Sequence, residues 1–182
     1  MSILRQAAGL PGGKVWLCTD RPASYTGLGD SCHVLTRTQL DDNIDLLAQE
    51  LRARQGQLRQ DPESRLDPMV IAIDGLMACV EGCKQETIAR LEVFIRLGKG
   101  LGLFVVAVDT AERMGKCRYR GDILTATLRQ GPVLLIGGAV SSHQVVDPYE
   151  LQSQFPQPMG GEDAILLGHG GNPCALRRMR GE

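Results

Sequence analysis

An aspartate at the end of an apolar strand is the residue of this sequence with the clearest chemistry. Asp74 closes the run Met69–Asp74 (MVIAID), which follows the structure-breaking pair Asp67-Pro68. An aspartate at the carboxyl end of such a strand can hold the water shell of the Mg²⁺ ion that accompanies a bound nucleotide. The same side chain can instead cap the start of a following helix. Both roles are open for Asp74.

The phosphate loop that should accompany such an aspartate is absent from the sequence. That loop has the pattern G-x-x-x-x-G-K-[ST], and its backbone amides cradle the phosphates. The chain has three Gly-Lys pairs, at 13–14, 98–99 and 115–116, and Val15, Gly100 and Cys117 follow them where Ser or Thr is required. We therefore expect no cofactor. ATP and Mg²⁺ would bind only if a phosphate loop precedes this chain.

The cysteines and histidines form no recognisable metal-binding or nucleophilic pattern. Of six cysteines only Cys79 and Cys83 are close, and a lone C-x-x-x-C spacing is not that of a zinc site. Four residues apart on a helix, they would share a face as small core residues. His33, His143 and His169 are far apart, and no Cys or carboxylate spacing joins them. We predict neither a metal site nor nucleophilic catalysis.

Composition indicates an ordinary globular protein. The 182 residues are enough for one domain with a sizeable core, and we expect residues 1–182 to form a single domain. A net charge of −1 gives no electrostatic reason to expect nucleic acid as a partner. No stretch approaches the roughly 18 apolar residues of a membrane span, so we expect no direct membrane insertion. The cysteine usage favours a reducing, cytoplasmic compartment.

Apolar runs and helical periodicity alternate along the chain. Strands are predicted at 14–18, 69–74, 103–108 and 132–136, the third of them fully buried because its run LFVVAV is unbroken. Helices are predicted at 2–8, at 39–57 with Thr38 as N-cap, at 85–97 and at 122–130. Residues 21–31 are predicted to be a loop, and 164–167 and 174–179 a C-terminal β-hairpin. This alternation predicts an α/β fold with a mostly parallel sheet flanked by helices.

The order of these elements resembles the motor domain of FtsK/SpoIIIE-type ATPases, which have a P-loop NTPase fold of the RecA/FtsK type. It is most similar to the C-terminal ATPase modules of the type VII secretion ATPases (the EssC/EccC family). The features that carry the resemblance run from about residue 2 to 179: the helix with Glu50 and Arg54, the strand ending in Ile73-Asp74, the segment 101–106, Asp109-Thr110, and 160–167 (GGEDAILL).

The departures from the family pattern fall on its catalytic parts. In active members a glutamate that polarises the attacking water follows the aspartate, and here that residue is Gly75. The resemblance implies a degenerate Mg²⁺-binding position at Asp74 and a sensor-like position at Asp109 and Thr110. An acidic residue there would repel a γ-phosphate, and both residues could instead cap a helix starting at Ala111. No catalytic residue is predicted.

The resemblance also implies a missing strand. The strand that precedes the phosphate loop lies mid-sheet in this family, between the strands at 103–108 and 132–136. Its loss would leave two unpaired edges inside the domain, each with orphaned backbone groups. Either the chain is part of a longer one, or these two strands pair directly, or a neighbouring chain supplies the strand. We expect the first.

The expected function is that of a non-catalytic regulatory or substrate-binding module of a type VII secretion motor. The implied partners are neighbouring ATPase modules of the same motor and the C-terminal signal of small secreted WXG-type proteins. The implied location is the cytoplasm, as the soluble C-terminal end of a membrane-anchored protein. Two alternatives remain: a fragment of an active nucleotide-binding FtsK-like translocase whose phosphate loop lies upstream, and a free-standing α/β protein-interaction domain.

Overall fold

A computed structural model describes residues 2–113, 131–138, 148–168 and 174–177. The chain falls into two compact units, Met1–Asp109 and Thr110–Glu182. The single domain expected over 1–182 stays a prediction. The helix predicted at 122–130 lies outside the described residues, as do His143 and His169.

A four-stranded parallel sheet forms the centre of the first unit. Its strand order is β2-β1-β3-β4, so the predicted parallel sheet flanked by helices is confirmed. Chain order is α1 (Ser2–Ala8), β1 (Lys14–Thr19), β2 (Cys32–Leu35), α2 (Arg37–Gln60), β3 (Met69–Asp74), α3 (Leu76–Gly82), α4 (Gln85–Gly98) and β4 (Leu103–Val108), with 3₁₀ turns at Pro22–Tyr25 and Lys99–Leu101.

Helices cover both faces of this sheet. On one face Leu17 of β1 and Ala72 of β3 form a buried cluster with Leu28, and Leu4 of α1 packs against it. On the other face α2 and α4 contact each other and the strands. Both faces are apolar because a parallel sheet with helices on each side has no solvated face.

The long helix begins two residues earlier than its sequence pattern indicates. Its N-cap is Thr36, not Thr38. The Thr36 backbone N–H donates to Gln39 Oε1 at 2.8 Å, and the Gln39 N–H donates to Thr36 Oγ1 at 3.4 Å. This reciprocal capping box satisfies two otherwise unpaired donors, which a lone cap at Thr38 would not do. Asp41 of the same helix accepts from the Lys84 N–H at 3.0 Å and so anchors the start of α4.

Two short elements, β2 and α3, were not predicted from the sequence. The four-residue β2 at the sheet edge and the seven-residue α3 are too short to show a clear period.

In β4 the prediction of full burial is wrong: Leu103 is buried, but Phe104 and Val108 are 47% and 59% exposed. The reason is that β4 pairs only with β3 among the described strands and so forms the other edge of the sheet.

A buried arginine ties together the amino-terminal edge of the sheet. The Arg54 side chain is only 7% exposed, and its Nε donates to Glu50 Oε1 at 2.7 Å. Its terminal nitrogen donates to the carbonyl oxygens of Asp67 at 2.6 Å and Leu101 at 3.0 Å. These two carbonyls precede β3 and β4, so Arg54 joins α2 to the entries of both strands. Glu50 lies four residues before Arg54 on α2, a spacing that favours this ion pair.

The second unit contains a three-stranded antiparallel sheet of order β5-β6-β7. Its elements are β5 (Val133–Gly138), α5 (Pro148–Gln154), β6 (Met159–Leu167) and β7 (Cys174–Arg177). Leu135, Leu151 and Ile165 form its core. The C-terminal hairpin is confirmed by the β6–β7 pair. The strand predicted at 132–136 lies within β5, which pairs antiparallel with β6.

Candidate functional site

The candidate site lies at the carboxyl edge of the parallel sheet. Register places Thr19, the last residue of β1, beside Asp74, the last residue of β3, and places Asp74 beside Val108 of β4. Aligned residues of neighbouring parallel strands project from the same face, so Thr19 and Asp74 are brought together by strand geometry alone. The Thr19 Oγ1 hydroxyl donates to Asp74 Oδ2 at 3.0 Å.

An arginine from the following loop occupies the solvent side of the same carboxylate. The Arg21 guanidinium lies 3.3 Å from Asp74 Oδ2 and 3.5 Å from Oδ1. The Arg21 backbone N–H also donates to Thr19 Oγ1 at 3.0 Å, which fixes the turn after β1. Asp74 itself is 15% exposed, whereas Arg21 is 73% exposed, so the ion pair closes the open side of a largely buried acid.

Tyr25 completes the group around Asp74. It lies at the end of the 3₁₀ turn Pro22–Tyr25 and packs against the cluster of Leu17, Leu28 and Ala72. Burial raises the pKa of the Tyr25 hydroxyl, and the hydrogen bond to Asp74 and the negative charge of that carboxylate raise it further. A neutral phenol that donates to a carboxylate is the expected form in this setting.

The Mg²⁺-binding role expected for Asp74 stays a prediction. Mg²⁺ requires several oxygen ligands in octahedral geometry and is held in nucleotide sites by one or two carboxylates plus the phosphates. Here the described residues supply one carboxylate, and its donors are a hydroxyl and a guanidinium. No group of three or more His, Cys, Asp or Glu side chains that could hold a metal occurs in the described part of the chain.

Gly75 differs from the family glutamate in backbone as well as in side chain. It is the N-cap of α3 and adopts the left-handed conformation, with φ 87° and ψ 65°. Residues with a Cβ pay about 1–2 kcal/mol to adopt this conformation. The exit from β3 is therefore a turn built for glycine. A glutamate at this position would have a strained backbone. Its side chain would also project in a different direction from that of a glutamate with an ordinary φ.

Asp109 and Thr110 each accept a hydrogen bond from a backbone amide. Asp109 Oδ2 accepts from the Met77 N–H at 2.8 Å and so caps the start of α3 from the neighbouring strand. Thr110 Oγ1 accepts from the Arg113 N–H at 3.4 Å, as expected of a cap for the helical residues 111–113. The capping alternative thus describes Thr110, whereas Asp109 caps α3, a helix that was not predicted from the sequence. Their sensor role stays a prediction.

A cleft on the face of the sheet that α2 covers was not predicted from the sequence. The Trp16 cleft has a volume of about 380 Å³ and lies between β1 and α2; its lining includes Lys14, Trp16, His33, Leu46 and Glu50. Trp16 and His33 meet edge to face with ring centroids 5.9 Å apart. Leu46 is 50% exposed at its rim. The feature of the sequence that could have indicated this cleft is Leu46, an apolar residue on the polar side of an amphipathic helix.

The fold is shared with known ATPase domains, although no family model matches the chain and no curated protein matches it in sequence. The cytoplasmic domain of EssC superposes with a TM-score of 0.67 at 18% identity, over 90% of this chain. EssC (ATPases 2 and 3) from Geobacillus thermodenitrificans gives 0.68 at 19% identity, also over 90%. Thermomonospora curvata EccC (ATPases 2 and 3), solved in complex with a signal sequence peptide, gives 0.68 at 12% identity over 99%.

The chain spans about a third of each of these structures, 33% of the first, 30% of the second and 34% of the third. None of the helices in the described part of the chain is both long and apolar enough to cross a bilayer. At such low identities structural similarity establishes the fold rather than the activity. The chain has the fold of a type VII secretion ATPase domain of the EssC and EccC kind.

Proposed function

We propose that this chain is a non-catalytic regulatory or substrate-binding module of a type VII secretion motor. The observation that supports the proposal most strongly is the engagement of Asp74. The side chain expected in the Mg²⁺-binding position is hydrogen-bonded to Thr19 and ion-paired with Arg21, and thereby holds the loop after β1 against the sheet. Asp74 acts as an internal anchor in this account.

The left-handed turn at Gly75 supports the same proposal. Hydrolysis needs a group that orients or deprotonates the attacking water. Gly75 has no side chain, and its positive φ disfavours any residue that could supply one. The neighbouring carboxylate, that of Asp109, holds the start of α3. In this account Asp74 and Asp109 maintain the carboxyl edge of the sheet.

The partner we propose is the C-terminal helical signal of a small secreted protein of the WXG type. One structural neighbour, T. curvata EccC, was solved with a signal sequence peptide, which makes this class of partner reasonable for the fold. On this chain we propose the Trp16 cleft as the binding groove. Aromatic and aliphatic walls suit the apolar side chains of an amphipathic helix, and Lys14 and Glu50 can pair with its polar groups.

Peptide binding tests this proposal directly. A labelled C-terminal peptide of a WXG-type protein encoded beside this gene is titrated with the protein, and fluorescence anisotropy is measured. Leu46→Asp should weaken binding at least about tenfold, because a charge at the rim of an apolar groove must be desolvated. Leu97→Asp is the matched control, since Leu97 is 49% exposed on α4 and lies outside the cleft. Equal binding by both variants would remove the cleft as the site.

The alternative of an active translocase fragment has one observation in its favour. Asp74 lies at the carboxyl edge of an internal parallel strand, which is where nucleotide-binding residues of α/β folds gather. If this alternative holds, the protein joined to the sequence upstream of it in the genome would bind Mg·ATP, and Asp74→Asn would abolish that binding. We propose the cytoplasm as the location under either account.

A further inference from the structure

Two cysteine thiols lie against each other at the end of α3. Cys79 is in the helix and Cys83 is its C-cap, and their Sγ atoms are 3.6 Å apart. Cys79 is 2% exposed and Cys83 is 8% exposed. The buried core of this unit also contains Cys18, but the only close sulfur pair with a measured contact in the described part of the chain is that of Cys79 and Cys83.

The surroundings of the two thiols make them chemically unequal. The neighbouring thiols of Cys18 and Cys83, together with burial, raise the pKa of Cys79. The hydrogen bond from Cys79 lowers the pKa of Cys83, and the positive charge of Arg37 also lowers it, whereas burial and the negative charges of Asp41 and Asp20 raise it. Arg37 is held in place by Asp20 at 2.9 Å and by the Ala78 carbonyl at 3.0 Å. A thiol near a fixed guanidinium and a donor thiol has increased thiolate character.

We propose that Cys79 and Cys83 are a peroxide-sensitive dithiol, in which Cys83 is the attacking thiolate and Cys79 the resolving thiol. The attacking residue is the more exposed of the two, and the resolving residue lies behind it at 3.6 Å. A hydroperoxide is the oxidant that suits this site, because a small molecule reaches a residue that is only 8% exposed more readily than a bulky disulfide does.

The reaction consumes one peroxide per pair of thiols. The Cys83 thiolate attacks one oxygen of hydrogen peroxide, the O–O bond breaks, and the leaving hydroxide takes up a proton to become water. Cys83 is then a sulfenic acid. The Cys79 sulfur attacks the sulfur of this sulfenic acid, the S–O bond breaks, and the departing hydroxide takes the Cys79 proton as a second water. The two thiols are oxidised to one disulfide, and the peroxide is reduced to two waters.

Closing this disulfide must distort the last turn of α3. Cβ atoms four residues apart on a helix are about 5–6 Å apart, whereas a disulfide requires about 3.5–4.5 Å. The present turn is held by the hydrogen bond of 2.9 Å from the Cys83 N–H to the Cys79 carbonyl. Arg37 binds the carbonyl of Ala78 within the same turn. Oxidation should therefore break this hydrogen bond and loosen the contact between α3 and the start of α2.

Peptide mass spectrometry of the peroxide-treated native protein tests the proposal. Trypsin releases one peptide, Leu66–Lys84, that contains both cysteines and no others. After treatment with a small excess of hydrogen peroxide we expect this peptide to become resistant to alkylation and lighter by two hydrogen atoms. Dithiothreitol should reverse both changes. Hydrogen exchange at the Cys83 amide should become at least about tenfold faster in the oxidised protein, as expected for loss of its local hydrogen bond.

Single variants separate the two roles. In Cys79→Ser the disulfide should be lost, and Cys83 should accumulate as a sulfenic acid that dimedone traps. In Cys83→Ser, Cys79 should stay a free thiol under the same conditions. Exposed Cys174 serves as the internal reference for reaction with peroxide. Oxidation of Cys174 while Leu66–Lys84 retains both thiols would overturn the proposal, and so would a crosslink from Cys79 to Cys18.

Discussion

Thr19 Oγ1 donates a hydrogen bond of 3.0 Å to Asp74 Oδ2, and this contact joins the carboxyl ends of two neighbouring parallel strands. Thr19 is 1% exposed, so the hydroxyl has no access to bulk water as an alternative partner. The acid that first indicates nucleotide chemistry in the sequence is therefore part of the internal framework of the sheet. Its charge is balanced by Arg21, and its position is fixed by Thr19.

Replacing Thr19 by Val should destabilise the protein by about 1–2 kcal/mol, because a buried carboxylate loses one of its donors. Urea unfolding at pH 7 measures the change. Thr38→Val is the matched control: Thr38 is exposed and has no part in this contact, so the same substitution there should change stability by less than about 0.5 kcal/mol. Equal effects at the two positions would show that the contact with Asp74 contributes nothing.

Gly75→Ala should cost about 1 kcal/mol or more, because φ 87° is unfavourable for a residue with a Cβ. The nearest side-chain atom to a Cβ at this position is 3.8 Å away, so the cost would arise from the backbone and not from a clash. Gly100→Ala, at an open position with an ordinary φ, is the control. Thermal unfolding compares the two. A neutral Gly75→Ala would mean that the turn after β3 is not held in this conformation.

Arg54→Met should destabilise the protein by about 3 kcal/mol, since it leaves two strand-entry carbonyls and Glu50 without their donor. Methionine keeps most of the volume, which separates the loss of hydrogen bonds from the loss of packing. Arg52→Met on the exposed side of the same helix should be nearly neutral. Denaturant midpoints for the two variants decide the matter, and a small effect at Arg54 would contradict the structure.

Tyr25 gives a prediction about alkaline pH. Its pKa is raised in the folded protein by burial and by Asp74, so above pH 10 the unfolded chain loses the phenolic proton before the folded one does. This contribution to stability is fully present below about pH 10 and declines as the pH rises toward the folded pKa. Urea unfolding between pH 8 and pH 11 should show a smaller alkaline decline in Tyr25→Phe than in the wild-type protein. Parallel curves would exclude the contact with Asp74.

Long periodic elements could be predicted from the sequence, whereas capping of a helix by a residue far away in the sequence could not. The strand at Met69–Asp74 and the helix at Gln85–Gly98 were predicted correctly because each has a clear apolar pattern and flanking breakers. Short α3 was missed because its N-terminal support comes from Asp109, thirty-two residues away. No local signal in the sequence records such a partner.

The candidate site, too, could be predicted from the sequence only in part. Its position at the end of β3 follows from the sequence, since a strand that ends in aspartate is visible without a structure. The partners of Asp74 could not be predicted from the sequence, because Thr19 becomes its neighbour only through the parallel register of β1 and β3. Arg21 lies in a segment predicted only as loop, and the 3₁₀ turn that carries Tyr25 gives no periodic signal in four residues.

Calorimetric titration of the protein with Mg·ATP tests the central claim most directly. If Asp74 is an internal anchor, no binding heat should appear up to about millimolar ATP, which corresponds to a binding free energy weaker than about −4 kcal/mol. Arg21→Ala, which opens the solvent side of Asp74, should not create binding either. Micromolar affinity in the wild-type protein, abolished by Asp74→Asn but not by Asp45→Asn at an exposed surface carboxylate, would contradict the account.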